Sequence, residues 1–325
     1  MKKNLLIFTI VLSFQMTHAQ YHLQDSTVGF SFEINYWFNM HHFLWMESFI
    51  NVEKDSSLVG QKISGGSKKN LDQALEYYKK NLIAQNLRSS DYMTEFKHWI
   101  TTQNLELDSI PAKFQEHIEV LQNVSSIYEA SFWSKHKTAC KKVIDDNIEL
   151  IRQTEERFAY GIQKLTRQPW QREKIKVDIT YYGTATTWNF HHRPYTTIFP
   201  THVVMTASGE NDVEGNWVEL LYHESAHHLI IGSSYFVGGT IKDVCEVLNI
   251  EPPRSFWHAY LFYLTGELAR QIFIEESLPY ETTYMQRTGV YGRYYSLLDT
   301  HLKAYMNRNI TLEDATKKIL TELNQ

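Results

Sequence analysis

The sequence predicts an α+β protein that is predominantly helical and carries one small sheet. Three observations lead there. Apolar residues recur at helical spacing through most of the chain before residue 170. Two β-branched, strand-like runs then follow, KIKVDITYY at 174–182 and TTIFPTHVVMTAS at 196–208. Helical patterning resumes near residue 216 and continues to the C-terminus. With 325 residues the chain can bury a real core, as one large domain or two modest ones. Hydrophobic residues make up 43% and charged residues 21%, the balance of a globular protein. The formal charge is −5 and no long basic patch occurs, which argues against nucleic acid as a partner.

The elements follow in order. Lys2 and Lys3, the apolar run Leu5 to Phe14, and Thr17-His18-Ala19 form the three-part pattern of a secretory signal, with cleavage expected after Ala19. A secreted or periplasmic location is therefore expected. The apolar run is too short for a stable membrane anchor, and no cysteine follows it to carry a lipid. Residues 26–50 suit an apolar helix, or a strand followed by a helix. Residues 58–70 look like a flexible loop. They nearly spell a phosphate-binding loop, but Gly66 stands where that motif needs Lys. Leu71, Leu75, Tyr78, Leu82 and Ile83 mark one helix. Pro111 suits the first turn of another, and a long amphipathic helix covers 138–165 until Gln168-Pro169-Trp170 breaks it. This divides the chain into a signal at 1–19, a helical region at 20–170 and a region at 171–325 that holds both strand-like runs and the later helices, with one continuous domain over 20–325 as the alternative. Pro200 places the 196–208 strand at a sheet edge, and 189–194 looks like a loop between strands. Cys140 and Cys245 could form one disulfide or remain two buried thiols.

The chemistry concentrates in WVELLYHESAHHLI, residues 217–230. Asn216 as N-cap with Glu219 three residues later approximates a capping box, so a helix should run from Trp217 to about Ile231 and end at Gly232. On it His223 and His227 lie four residues apart and face the same way, the spacing two imidazoles need to share one metal ion. Glu224 sits beside the first histidine, placed to accept the proton of an attacking water. His228 falls off that face. His41-His42 and His191-His192 lack this spacing. A hydrogen-bonded core role suits the first pair better than a ligand role.

His223-Glu224-x-x-His227 resembles the active-site helix of zincin metallopeptidases. In that family the helix packs beside a sheet whose edge strand aligns an extended substrate, a part the 196–208 strand would play. The resemblance covers roughly 174–275. It implies a Zn2+ cofactor, a peptide or protein substrate, and hydrolysis with Glu224 as general base. Ile230 and Ser233 stand where the metzincin extension needs Gly and His, so that branch does not fit. The gluzincin branch takes its third ligand from a glutamate on a later helix. Glu246, Glu251, Glu267, Glu275 and Glu276 are the candidates. Glu267 has the strongest setting, inside an apolar helix announced by Pro252, Pro253 and Ser255, where a buried carboxylate needs a partner. Two observations stand against it. The family's orienting Asp is replaced in that region by Arg270, which could simply pair with Glu267. His258 also competes: nine residues away is half a turn out of phase, so only one of the two can face the ion. Tyr291 is the expected transition-state donor, with Tyr295 and His301 behind it. A non-catalytic secreted binding protein and a zinc hydrolase of non-peptide substrates are the other functions compatible with these residues.

Overall fold

The computed structural model describes residues 21–22, 27–54, 66–103, 107, 109–186, 189–198, 200–208 and 213–324. The expected export signal and residues 58–65 of the expected loop lie outside these. The first described strands are β1 (Tyr21–His22) and β2 (Phe30–Ile34), and β2 leads directly into α1 (Tyr36–Lys54). The described part of the expected element, 27–50, thus takes the strand-then-helix form. α2 (Gly66–Asn81) begins inside the expected loop, so 66–70 is helical. α3 (Asp91–Ile100) is capped by the Ser90 side chain, which accepts from the Met93 amide. α4 (Gln115–Tyr128) and α5 (Ser134–Thr166) are joined by a π-helical turn at Glu129–Trp133 whose flanking residues keep helical dihedrals, so the chain stays helical through the junction.

The sheet then forms from both sides of residue 170. Its further strands are β3 (Ile175–Thr180), β6 (Tyr195–Ile198) and β7 (Thr201–Thr206), with a separate ribbon of β4 (Thr184–Thr186) and β5 (Asn189–Arg193) between them in sequence. The order is β1-β2-β3-β7-β6. β2, β3 and β7 are mutually parallel, with Phe30 opposite Ile175 and Val177 opposite Val203, while β1 and β6 run antiparallel at the two edges. Parallel pairing of β2 with β3 requires a crossover, and the whole tract α1 to α5 supplies it. The single strand expected at 196–208 is a hairpin, with Pro200 in the turn where its missing N–H costs no ladder bond. The loop expected at 189–194 is mostly β5.

Buried polar groups tie these layers together. The Glu155 carboxylate on α5 accepts from the Thr27 hydroxyl (2.6 Å) and from the Val28 and Gly29 amides (2.9 and 3.1 Å), fixing the entry to β2. Asn39 on α1 donates to the Ile179 carbonyl and accepts from the Tyr181 amide, holding α1 to the end of β3. His41 and His42 are core residues, bonded to the hydroxyls of Tyr78 and Tyr195. Cys140 and Cys245 are both free and buried. No helix among the described residues is long and apolar enough to cross a membrane.

Glu47 on α1 is 1% exposed, and its Oε2 has no hydrogen-bond partner among the described residues. Burial pushes its carboxyl up to about 7. The folded chain therefore holds this proton to higher pH than the unfolded chain. The stability this gives is complete below about pH 4.5 and is lost as pH rises through 7. Glu47→Gln is expected to match wild type near pH 5 in denaturant melts and to exceed it at pH 8 by on the order of 3 kcal/mol. An equal gap at both pH values would contradict this.

Candidate metal centre

α6 (Asn216–Ala226) carries the motif and is wedged between the sheet, α5 and the later helix α8 (Phe256–Glu275). Between α6 and α8 lies α7 (Phe236–Leu248). The Trp217 indole donates to the Thr206 carbonyl at 3.0 Å, fixing α6 against β7. The Tyr222 ring stacks on Phe158 at 4.2 Å, and its hydroxyl lies 2.6 Å from the Thr154 hydroxyl, fixing α6 against α5. The N-terminus differs from expectation. Gly215, at φ 84°, is the cap, Asn216 is the first helical residue, and there is no capping box. Glu219 instead turns into the core, where its carboxylate accepts from the Tyr280 hydroxyl and from the Tyr284 amide at 2.8 Å. Burial pushes it up to about 7 despite these bonds. The α-helix also stops early: His227–Leu229 tighten into a 3₁₀ turn, so the second motif histidine sits at the junction.

His223, His227 and His258 each offer one ring nitrogen, all within 4.8 Å of one another. The third member corrects the expected ligand set. His258 joins the motif histidines, and Glu267 does not. Glu267 accepts from Arg270 Nε at 2.8 Å and Nη2 at 2.5 Å, and from Gln271 at 3.2 Å, so its own helix satisfies it. The helical phase explains the choice. α8 presents His258, Phe262 and Thr265 as one stripe toward α6, and Glu267 lies half a turn away from His258. The other acidic candidates are also engaged or apart: Glu275 and Glu276 pair with Arg157, and Glu246 pairs with Lys242.

The protonation pattern suits a cation. The Thr265 hydroxyl donates to the Leu261 carbonyl at 2.7 Å, so toward His223 Nδ1, 3.4 Å away, it can only accept. His223 therefore carries its proton on Nδ1 and leaves Nε2 bare. That Nε2 is 3.1 Å from Nε2 of His258. A proton on His258 Nε2 accounts for that contact as a hydrogen bond, and a cation can take that proton's place between the two nitrogens. Two zinc–nitrogen bonds of about 2.0–2.1 Å at a tetrahedral angle separate their nitrogens by roughly 3.3 Å, close to what is found. Burial holds His223 and His227 well below 6.5 and brings His258 to about 4, so all three are neutral at pH 7, the form that ligates. Phe262 stacks on the His223 ring at 3.7 Å, locking its orientation. Three neutral imidazoles that converge on one space are thus a donor set that fits a zinc ion.

Glu224 is 8% exposed and its Oε2 lies 3.5 Å from His227 Nε2, so the carboxylate faces the same space as the ring nitrogens. Burial pushes it up to about 8, and the charge of Arg88 draws it back. Arg88 is exposed, in the turn after α2, and its field also acts on His227, His258 and Tyr291.

Tyr291 lies where the sequence put it, beside the histidine cluster. It precedes α10 (Gly292–Met306), after the short α9 (Tyr284–Thr288), and holds φ 55°, a left-handed conformation costly for a residue with a Cβ. That turn brings its hydroxyl within 3.0 Å of His258 Nδ1. With Nε2 of His258 given to a cation, Nδ1 carries the proton and the Tyr291 oxygen accepts it. Such a bond would fix tautomer and ring angle, which gives Tyr291 a positioning role beside the expected one of transition-state donor. Tyr295 packs near Tyr263, and His301 pairs with Glu322 on α11 (Leu312–Leu323). Tyr291→Phe is expected to lower zinc affinity tenfold to a hundredfold at unchanged melting temperature; wild-type affinity in chelator competition would deny the role.

Sequence reasoning ranked His258 second and missed Phe262, Thr265 and Arg88. The spacing His258-x3-Phe262-x2-Thr265 was a usable signal, because it marks one helical face ending on a small hydroxyl. Comparison with protein-family models, curated proteins and solved structures finds no match to this chain.

Proposed function

We propose that this chain is an exported zinc-dependent hydrolase of peptide bonds, similar in its active-site helix to the zincins but with a third histidine in place of the gluzincin glutamate. The observation that carries the reading is Glu224 turned into the space where the nitrogens of His223, His227 and His258 converge. A closed structural site has no use for a carboxylate there. In this reading the three histidines hold Zn2+, which when bound acidifies water and polarises the substrate carbonyl. Glu224 takes the proton of the attacking water and passes it to the leaving amine. Its raised affinity for a proton suits it to both halves of that transfer. Thr265, Phe262 and Tyr291 hold the imidazoles in place, and Arg88 adds positive field where negative charge develops. β6 is a sheet edge that touches α6 and the 3₁₀ turn after it, the place where the family's edge strand would align an extended peptide. The export pattern at residues 1–19 supports an activity outside the cytoplasm.

The test incubates the zinc-loaded full-length mature protein with a mixed peptide library and counts new amino termini, beside a chelated control. Cleavage that requires zinc is expected. Full zinc occupancy without cleavage of any peptide would overturn the peptidase reading.

A further inference from the structure

Glu219 is the acid of α6 that the proposed chemistry does not use. It lies four residues before His223, so the two share one face of the helix. It is 2% exposed, and a carboxylate buried that deeply is costly unless donors meet it. The donors come from one segment, 280–291, which lies between α8 and α10. The Tyr280 hydroxyl donates to Oε2, and the Tyr284 amide donates at 2.8 Å. The Arg287 guanidinium lies 4.0 Å away and bonds the Tyr280 hydroxyl at 2.8 Å. α8 leaves room for this junction. A Cβ on Gly266 would come within 2.7 Å of Glu219 Oε1 and 3.2 Å of the Thr283 Cβ, so any side chain there would press the carboxylate and the segment apart.

The same segment lays two rings on the histidine cluster. Tyr284 stacks on Phe262, with centroids 6.1 Å apart and planes 17° apart. Phe262 in turn stacks on His223 at 3.7 Å. Tyr291, at the far end, lies 5.9 Å from Phe262 and brings its hydroxyl to 3.0 Å from His258 Nδ1.

We propose that Glu219 is a positioning residue of the metal centre: its carboxylate seats the segment 280–291 on the helix that carries the ligands, and the segment's two rings hold the imidazoles of His223 and His258. The proposal rests on the zinc reading for the ion, while the seat itself can be measured without metal. A carboxylate that served stability alone could stand on any helix. This one stands on α6, one turn from His223, so any shift of the segment against α6 moves Tyr284 and Tyr291 against the imidazoles directly. Outer partners that orient metal-bound histidines change metal affinity by roughly tenfold to a hundredfold.

The test compares wild type, Glu219→Ala and Glu219→Gln as full-length mature proteins. Zinc affinity by chelator competition is expected to fall by about tenfold or more in Glu219→Ala. It should return most of the way in Glu219→Gln, whose amide oxygen can still accept from Tyr280 and Tyr284. Combined with Tyr291→Phe, the loss in Glu219→Ala should be less than the product of the two single losses, because both act through one segment. Hydrogen exchange of the metal-free proteins should speed up over 280–291 in Glu219→Ala, while α5 and α11 keep their protection. If Glu219→Ala does not fold, Tyr280→Phe removes one donor and should move both readouts the same way by less. Unchanged exchange of the segment, unchanged zinc affinity once the segment has loosened, or losses that multiply fully would overturn the positioning role. Wild type that takes up no zinc would instead remove the zinc reading, and with it the centre that Glu219 positions.

Discussion

Glu224→Gln is expected to keep its full zinc content and to lose peptide hydrolysis by about two to four orders of magnitude. The two effects separate because the two roles are held by different atoms. The ring nitrogens of His223, His227 and His258 define the place for the ion, and none is bonded within the protein to Glu224 closely enough to depend on it; its nearest approach is 3.5 Å to His227. Glutamine fills the same volume and faces the same way. It cannot take a proton from water. Burial raises the carboxyl to about 8, with Arg88 opposing, so the native residue sits near the proton affinity that shuttling at neutral pH demands. Metal content by atomic absorption and cleavage rate on one peptide, measured on the same preparation, check both halves. Full activity in the variant would remove Glu224 from the mechanism. Loss of zinc would instead make the carboxylate part of the site's framework.

The fold was legible in the sequence wherever one period dominated. Ile175, Val177 and Ile179 alternate and are buried as a strand, and the spacing of Leu71, Leu75 and Tyr78 marks α2 as it forms. It was illegible where a turn divides an apolar run. The stretch 196–208 keeps one β-branched texture across Pro200, and only pairing with its own second half makes it a hairpin. The parallel pairing of β2 with β3 joins residues about 145 apart in sequence; no local pattern encodes that. Asn216 and Glu219 have the composition of a cap. Yet Glu219 finds better partners in Tyr280 and Tyr284, which arrive from far along the chain.

The candidate metal site divided along the same line. His223, Glu224 and His227 lie within one helical turn and a third, so helix geometry alone aligns them. A third ligand would come from another helix, and its identity depends on how α8 is rotated against α6. The sequence limited that rotation to two outcomes, His258 facing the site or Glu267 facing it. Burial of a carboxylate weighed toward Glu267. What decided otherwise was Arg270, which neutralises Glu267 from one turn away and removes the reason for it to seek a metal.

That rotation makes a prediction that separates the two residues. His258→Ala is expected to lose zinc binding by more than the hundredfold that follows from disturbing an outer partner, because it removes one of three ligands outright. Glu267→Ala is expected to do the reverse. It should keep one equivalent of zinc and lose about 1–3 kcal/mol of stability, because Arg270 is left half-buried without its carboxylate. Titration with zinc against a competing chelator reads the first effect, and denaturant melts of the metal-free proteins read the second. Zinc retained in His258→Ala and lost in Glu267→Ala would mean that α8 turns by half a revolution when the ion binds. The stripe of Phe262 stacked on His223 and Thr265 bonded to it would have to come apart for that to happen. Those two contacts, made by the face that carries His258, are the physical reason to expect the helix to stay as it is.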